Sequence, residues 1–512
     1  MSIFDSIING AASLVGKAQG TVQRAQQQRQ TGPQVMNLQR PPGLALGMGV
    51  STGALNAMGH AQGLVPNQFV WLANDDACQN IVVFGGIGAG KTTRVINPLL
   101  FQLMGYGDVG GLIFDIKGDF CESVSAFANW QGRSYVKIGV GDDCTGTNLL
   151  KGLTPEQAAG FLQSTFYLTG GTTNESFWIT SATALIQNTL GLLEPLGDKY
   201  YTLEKLYQYI FFEDVRKAID MMIEDEVHFE DGTIEARNLA NYKGYYNNVF
   251  MAMDIKLRES IKAQLSTILS PFQNPELIDA FSGAGDGENY DLSNILAGQI
   301  VLVDLPLAKW ATAGKVVYTM IKLRFFNLLQ ARQVDKSMPQ NFCFFMADEY
   351  QNIISASNMG LSDLSFWDKS RSAHCVGIIS TQSISAFKSA IGQQTLSDTI
   401  LANFRQKIFF KTEDETTLRY INGLAGRVEV TRQSYSRTSG ESQQPGHFFG
   451  STNNSSTYNT QIVERQLIDP NFMRQLSGNL ALCFFNVEGD SADDVLAFRP
   501  LYPNDIRGFL GQ

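Results

Sequence analysis

Gly85, Gly86, Gly88, Gly90, Lys91 and Thr92 lie together in the segment IVVFGGIGAGKTT, which places GxxxxGKT directly after an apolar run. Glycines at those positions let the backbone turn tightly, so that successive N–H groups and the N-terminus of a following helix surround phosphate oxygens. Lys91 is placed to neutralise the β and γ phosphates. Thr92 offers a hydroxyl to Mg2+, and Thr93 falls beside it in the first helical turn. The stretch from Gly85 to Thr92 therefore reads as the phosphate-binding loop of a nucleoside triphosphatase.

Such a loop needs an acid from a neighbouring strand, and three carboxylates end apolar runs: Asp115 in GLIFDIKGD, Asp304 in IVLVDLP and Asp348 in FCFFMADEY. Of these, Asp348 alone is followed by a second acid. Asp348 would hold the metal while Glu349 orients or deprotonates the attacking water. Asp115 to Gly118 also spells DxxG, as in GTPase switches, but no NKxD segment follows to read guanine, so ATP is the expected nucleotide. Further along, GIISTQS places Ser380, Thr381 and Gln382 at the end of another run, where Gln382 is a candidate for sensing the γ-phosphate or positioning water. Arg371, Arg405, Lys407, Lys411 and Arg419 are candidates for a cation acting across a subunit interface, Arg405 first among them.

The elements that position these residues follow from the pattern of apolar runs. From residue 78, IVVFG, GLIFD and SYVKIG read as buried parallel strands alternating with helices. Between about 151 and 280 helical periodicity takes over, as in SATALIQNTLGLLEPL. Strand runs return at IVLVDLP, FCFFMADE, CVGIIST and KIFFKT, completing the sheet. The expected organisation is an α/β P-loop domain with a mainly parallel central sheet over 71–150 and 285–512, interrupted by an all-α domain over 151–284. Residues 1–70 are expected to form an amphipathic helix, with apolar positions from Ile3 to Val22, and then a Gly/Ala/Gln-rich linker. Residues 432–461, almost free of aliphatic side chains, are expected to form a mobile loop.

Composition narrows the alternatives. With 512 residues, 44% hydrophobic, the chain buries a large core. Its six cysteines and four histidines are scattered, which disfavours a disulfide framework, a zinc site or a histidine-based hydrolytic triad and fits a reducing cytoplasm. A formal net charge of −10 argues against coating nucleic acid non-specifically, so any DNA contact is local. No apolar stretch is long enough to span a membrane.

Taken in order, GGIGAGKTT with INPLL, FDIKGDF, TNLL at 147–150, ESFWITSATALI at 175–186, ADEYQNI at 347–353, STQSISAF, ILANFRQKIFF, ETTLRYINGLAG and VERQLIDPNFMRQL resemble the TraG/TraD-type coupling ATPases of type IV secretion and conjugation, a group within the FtsK/HerA-like P-loop motors. The resemblance covers about residues 70–510. It implies a RecA-like motor interrupted by an all-α domain and working as a homo-oligomeric ring, usually a hexamer. Such a ring would use ATP and Mg2+ to recruit and translocate single-stranded DNA or a nucleoprotein. It also implies relaxosome or substrate proteins as partners, met by the all-α domain. Two departures stand out: the two N-terminal transmembrane helices and the acidic C-terminal tail of such proteins have no counterpart here. A cytoplasmic protein, peripheral at the membrane through a partner of the secretion channel, is therefore expected. The alternatives are a receptor that docks protein substrates and uses ATP for assembly, and a motor of the same branch acting on duplex DNA.

Overall fold

A computed structural model describes residues 40–168, 176–283, 289–356, 360–442 and 451–511. The amphipathic helix expected over residues 3–22 lies outside these. The short apolar runs form strands of one eleven-stranded sheet: β1 (Ala45–Ser51), β2 (Phe69–Ala73), β3 (Ile81–Phe84), β4 (Gly110–Asp115), β5 (Tyr135–Gly139), β6 (Ile300–Asp304), β7 (Cys343–Ala347), β8 (Cys375–Thr381), β9 (Gln406–Phe409), β12 (Leu480–Phe484) and β15 (Asp494–Ala497), in the order β2-β1-β15-β12-β9-β3-β8-β7-β4-β6-β5. From β9 to β5 every neighbouring pair is parallel. From β9 to β2 every pair is antiparallel. Central strands such as β3, β7 and β8 are buried on both faces, which is why they read as unbroken apolar runs rather than as alternation. The fold is thus α/β with a mainly parallel central sheet.

Two expectations need correction. Residues 45–51 and 69–70 do not belong to a linker, because β1 and β2, which begins at Phe69, close one edge of the sheet. The glycines that suggested flexibility are there for packing. A Cβ on Gly47 would stand 2.9 Å from the Phe69 ring, and one on Gly49 only 2.7 Å from the Ala497 carbonyl oxygen, where the strand register shifts. The segment expected to be a mobile loop instead forms a long hairpin, β10 (Arg427–Ser442) and β11 (Ser451–Gln466), paired from Arg427↔Gln466 to Ser442↔Ser451. Its Thr, Tyr, Val and Ile residues favour strand, but the side chains from Ser456 to Gln466 are exposed and leave no apolar alternation to detect. A two-residue-per-arm hairpin, β13 (Asn486–Val487) with β14 (Asp490–Ser491), connects β12 to β15.

Between β5 and β6 the described residues form helices and no strand, principally Pro155–Leu168, Ser176–Leu193, Leu203–Phe211, Glu213–Glu226, Ile234–Gly244 and Ile255–Leu269. β5 and β6 are adjacent and parallel, so the chain leaves the sheet for the helices and re-enters beside its point of exit. A kinked helical stretch, Leu307–Val334, with a non-helical backbone at Ala311 (φ +33°), then returns to β7.

Gly49→Val is expected to lower the melting temperature through a clash with the Ala497 backbone, at a cost of about 1–3 kcal/mol. Thermal denaturation of the purified chain checks this, and an unchanged transition would contradict the packing described for β1.

Candidate nucleotide-hydrolysis site

Parallel register brings four chain segments out at one edge of the sheet. Phe84 is paired with Thr381, Ile379 with Ala347, and Ala347 with Phe114. The residues just beyond those positions therefore converge: the loop from Gly85, Gln382 after β8, Asp348 and Glu349 after β7, and Lys117 after β4.

The loop wraps as its glycines dictate. Gly88 and Gly90 have φ of +72° and +93°, and a Cβ on Gly90 would strike the Arg94 guanidinium. Lys91 is buried and its Nζ donates to the carbonyl oxygens of Gly85 (2.8 Å) and Gly86 (3.4 Å). Burial lowers its pKa, an effect opposed by the Asp348 and Glu349 carboxylates and reinforced by the Lys117 ammonium. The helix after the loop opens with a π-helical turn, Thr92–Ile96, and continues as Asn97–Met104. Thr92 and Thr93 point their roles apart. The Thr92 hydroxyl donates to Asp348 Oδ2 at 2.8 Å, whereas the Thr93 carbonyl accepts the Leu501 N–H at 2.7 Å.

Asp348 is held from three sides. Besides Thr92, it accepts the Glu349 N–H at 2.9 Å and the Ser380 hydroxyl. A threonine hydroxyl beside a strand-end carboxylate is a set of hard oxygen donors, which suits Mg2+. Glu349 adopts a left-handed backbone with φ of +53° and is buried. One of its carboxylate oxygens accepts from Lys117 Nζ at 2.8 Å; the other accepts from Gln382 Nε2 at 3.3 Å and from Gln351 Nε2. The backbone after Glu349 is fixed by a buried cluster. Asp363 accepts from Lys322 Nζ (2.6 Å), the Ser355 N–H (2.6 Å), the Trp367 indole (2.9 Å) and the Tyr350 hydroxyl, and Lys322 also donates to the Ile353 carbonyl at 2.6 Å.

Of the remaining candidates, Lys411 lines the cavity beside the loop and the others fall elsewhere. The Asp115 carboxylate is consumed by its own loop, accepting the N–H groups of Gly118 (2.7 Å), Phe120 (2.8 Å) and Cys121 (2.9 Å), which accounts for the DxxG spacing without a nucleotide. Asp304 pairs with Lys137 at 2.9 Å. Arg405, proposed from sequence as a catalytic cation, is exposed at the start of β9, and its N–H donates to the Gln79 carbonyl just before β3. This puts it at the sheet edge opposite the phosphate loop, so it takes no part in the site of its own chain. Arg371 pairs with Asp75, Arg419 with Glu415, and Lys407 is buried with its pKa lowered by desolvation to about 8. Lys117 was missed, although it follows β4 by two residues as Glu349 follows β7. Beside the loop lies a cavity of about 530 Å3 lined by Gly86, Gly88, Gln382, Phe410, Asp414 and Ser477 among others, roomy enough for a nucleoside.

A phosphate-binding loop after one parallel strand and a paired acid after another, with a polar strand between them, define a P-loop nucleoside triphosphatase of RecA-like fold. Residues 343–478, from β7 to just before β12, match the family model described as the TraM recognition site of TraD and TraG, which bears out the TraG/TraD resemblance over that segment. The chain is similar in fold to the bacterial conjugative coupling protein TrwBdeltaN70 in its trigonal form with sulphate, at 16% identity and a TM-score of 0.57, over 93% of this chain and 99% of that one. It is likewise similar to the plasmid coupling protein TrwB in complex with the GTP analogue GDPNP (16% identity, TM-score 0.57, 90% of this chain and 95% of that one). The complex of TrwB with ADP and Mg2+ gives 15% identity and a TM-score of 0.57 over the same shares. No curated protein matches the chain in sequence.

Asp363→Asn, which leaves the Lys322 ammonium buried beside a neutral amide, is expected to destabilise the chain by about 3–5 kcal/mol. Urea denaturation measures this, and adding Lys322→Met should recover part of the loss.

Proposed function

We propose that the chain is an ATP-hydrolysing coupling protein that recruits single-stranded DNA or a nucleoprotein and drives it toward a type IV secretion or conjugation channel. The observation that carries the enzymatic part is the Thr92 to Asp348 hydrogen bond, which joins the phosphate loop to the strand end bearing Glu349. The coupling role is supported by the match of residues 343–478 to the TraG/TraD segment and by a fold shared with TrwB.

In this reading the N–H groups of residues 86–92 and the Lys91 ammonium bind the phosphates. Thr92 and Asp348 would hold Mg2+, which neutralises charge on the transferring phosphoryl group. Glu349 takes a proton from water as the water oxygen attacks the γ-phosphorus and ADP leaves, and Gln382 orients that water. Arg405 would reach a phosphate only from a second copy of the chain, in a ring where one subunit completes its neighbour's site. A ring, most simply a hexamer, also lets a protein of net charge −10 hold DNA, because a few polar or basic side chains repeat around the pore. The helices between β5 and β6 are the proposed meeting point for relaxosome or substrate proteins. No helix among the described residues is long and apolar enough to cross a membrane, and we infer recruitment to the membrane through a partner protein.

Lys91→Ala and Glu349→Gln are each expected to reduce ATP turnover by about two orders of magnitude or more, with Glu349→Gln still binding nucleotide. Single-stranded DNA should stimulate the parent more than duplex does, as measured by phosphate release. Turnover at the parent rate in both variants would overturn the site assignment, and equal or greater stimulation by duplex would point to a duplex motor. Capture of protein partners without DNA binding at low salt would point to a docking receptor.

A further inference from the structure

Lys117 has no part in the reading above, yet it makes the closest contact to Glu349 from outside the Asp348–Gln351 segment. Its ammonium stands 2.8 Å from one Glu349 oxygen, and the two side chains differ sharply in exposure, 48% for Lys117 and 7% for Glu349. Burial alone would depress the Lys117 pKa, but the Glu349 hydrogen bond and the Asp348, Glu349 and Asp119 carboxylates hold it above the ordinary lysine value. Lys117 is therefore charged when it meets Glu349.

The sheet order places the pair meaningfully. β8, which carries Gln382, separates β7 from the phosphate-loop strand β3, whereas β4, which carries Lys117, flanks β7 on the other side. Gln382 thus reaches Glu349 from the phosphate side and Lys117 reaches it from the far side. An ammonium at hydrogen-bond distance cancels the charge that makes a carboxylate a useful base, and both Glu349 oxygens already accept hydrogen bonds. In this pairing Glu349 is restrained.

The loop is built so that only the side chain moves. Its backbone is pinned where the Ile116 carbonyl accepts the Leu307 N–H at 3.0 Å, and where the Gly118 N–H donates to Asp115 at 2.7 Å. Gly118 has φ of +85°, and a Cβ there would stand 2.6 Å from the Pro306 ring, so this turn admits little change. Lys117 itself has a flexible four-carbon stem ending in a half-exposed charge, so the ammonium has solvent to swing into when it leaves the buried carboxylate.

We propose that Lys117 is a positioning residue that latches Glu349 in a restrained arrangement, and that release of this ion pair is required for hydrolysis. The proposal rests on the reading of Glu349 as the group that activates water.

Two measurements on the full chain test it. The first is the rate at which an amine-reactive acetylating reagent labels Lys117, followed by peptide mass spectrometry. Glu349→Gln, which removes the charged partner, should raise that rate several-fold over the parent, and an unchanged rate would overturn the latch. The second is ATP turnover without DNA. Lys117→Met should raise kcat several-fold with KM unchanged and the melting temperature as in the parent, while Lys117→Arg stays at the parent rate. A kcat in Lys117→Met equal to or below the parent's would sink the proposal, and the labelling experiment decides alone if that variant does not fold. Failure of the underlying reading shows separately, as hydrolysis that survives Glu349→Gln in the parent background.

Discussion

The Asp348 carboxylate ties together three strands that are distant in sequence. Its bonds to the Thr92 and Ser380 hydroxyls connect the helix after β3, the end of β8 and the end of β7 across the middle strand of the three. They form only if β3, β8 and β7 keep their parallel register, because a slip of one residue would turn every side chain to the opposite face. The apolar runs fix that register: β3, β7 and β8 are buried along their full length, and sliding any of them would drive polar end residues into the core. Site geometry and sheet stability are in this sense one constraint.

Glu349 needs a second support. A left-handed backbone at a residue with a long side chain costs about 1–3 kcal/mol and persists only where its surroundings over-determine it. Here the surroundings are the Lys322, Asp363 and Tyr350 cluster, in which both ion-pair partners are fully buried. Burying such a pair contributes little net stability, but leaving either partner alone would be costly, so the segment after Glu349 has essentially one arrangement. Backbone strain at the acid and a buried charge pair behind it are two parts of one device.

How much of this was legible in the sequence depended on whether the signal was local. The phosphate loop and the Asp348/Glu349 pair were readable because each follows an apolar run directly, and the central sheet was readable because buried parallel strands lack polar interruptions. β1 escaped notice because Gly47 and Gly49 look like linker residues until the rings of Phe69 and Trp71 and the Ala497 carbonyl are seen against them. The hairpin of β10 and β11 escaped notice because a largely polar ribbon shows no apolar alternation. Lys117 and Lys322 escaped for a different reason. Each acts through a partner more than 40 residues away, and nothing in the spacing of a single sequence marks a lysine as facing a particular acid.

The helix Leu307–Val334 connects these separate features. At its start, the Leu307 N–H is bonded to the Ile116 carbonyl, so it holds the loop that carries Lys117. Midway, Lys322 anchors the segment that follows Glu349, and Lys315 and Arg324 bind the carbonyls of Leu168 and of Asn148, Leu149 and Lys151 at the root of the helical insertion. Packed interiors transmit displacement rather than absorb it. A shift of the part beyond the kink at Ala311 therefore moves the Glu349 segment from the insertion's own point of attachment, while the Lys117 loop is held by the short part before the kink. This gives the inserted helices a mechanical connection to the acid at the site, made of contiguous packed contacts and hydrogen bonds rather than of distance alone.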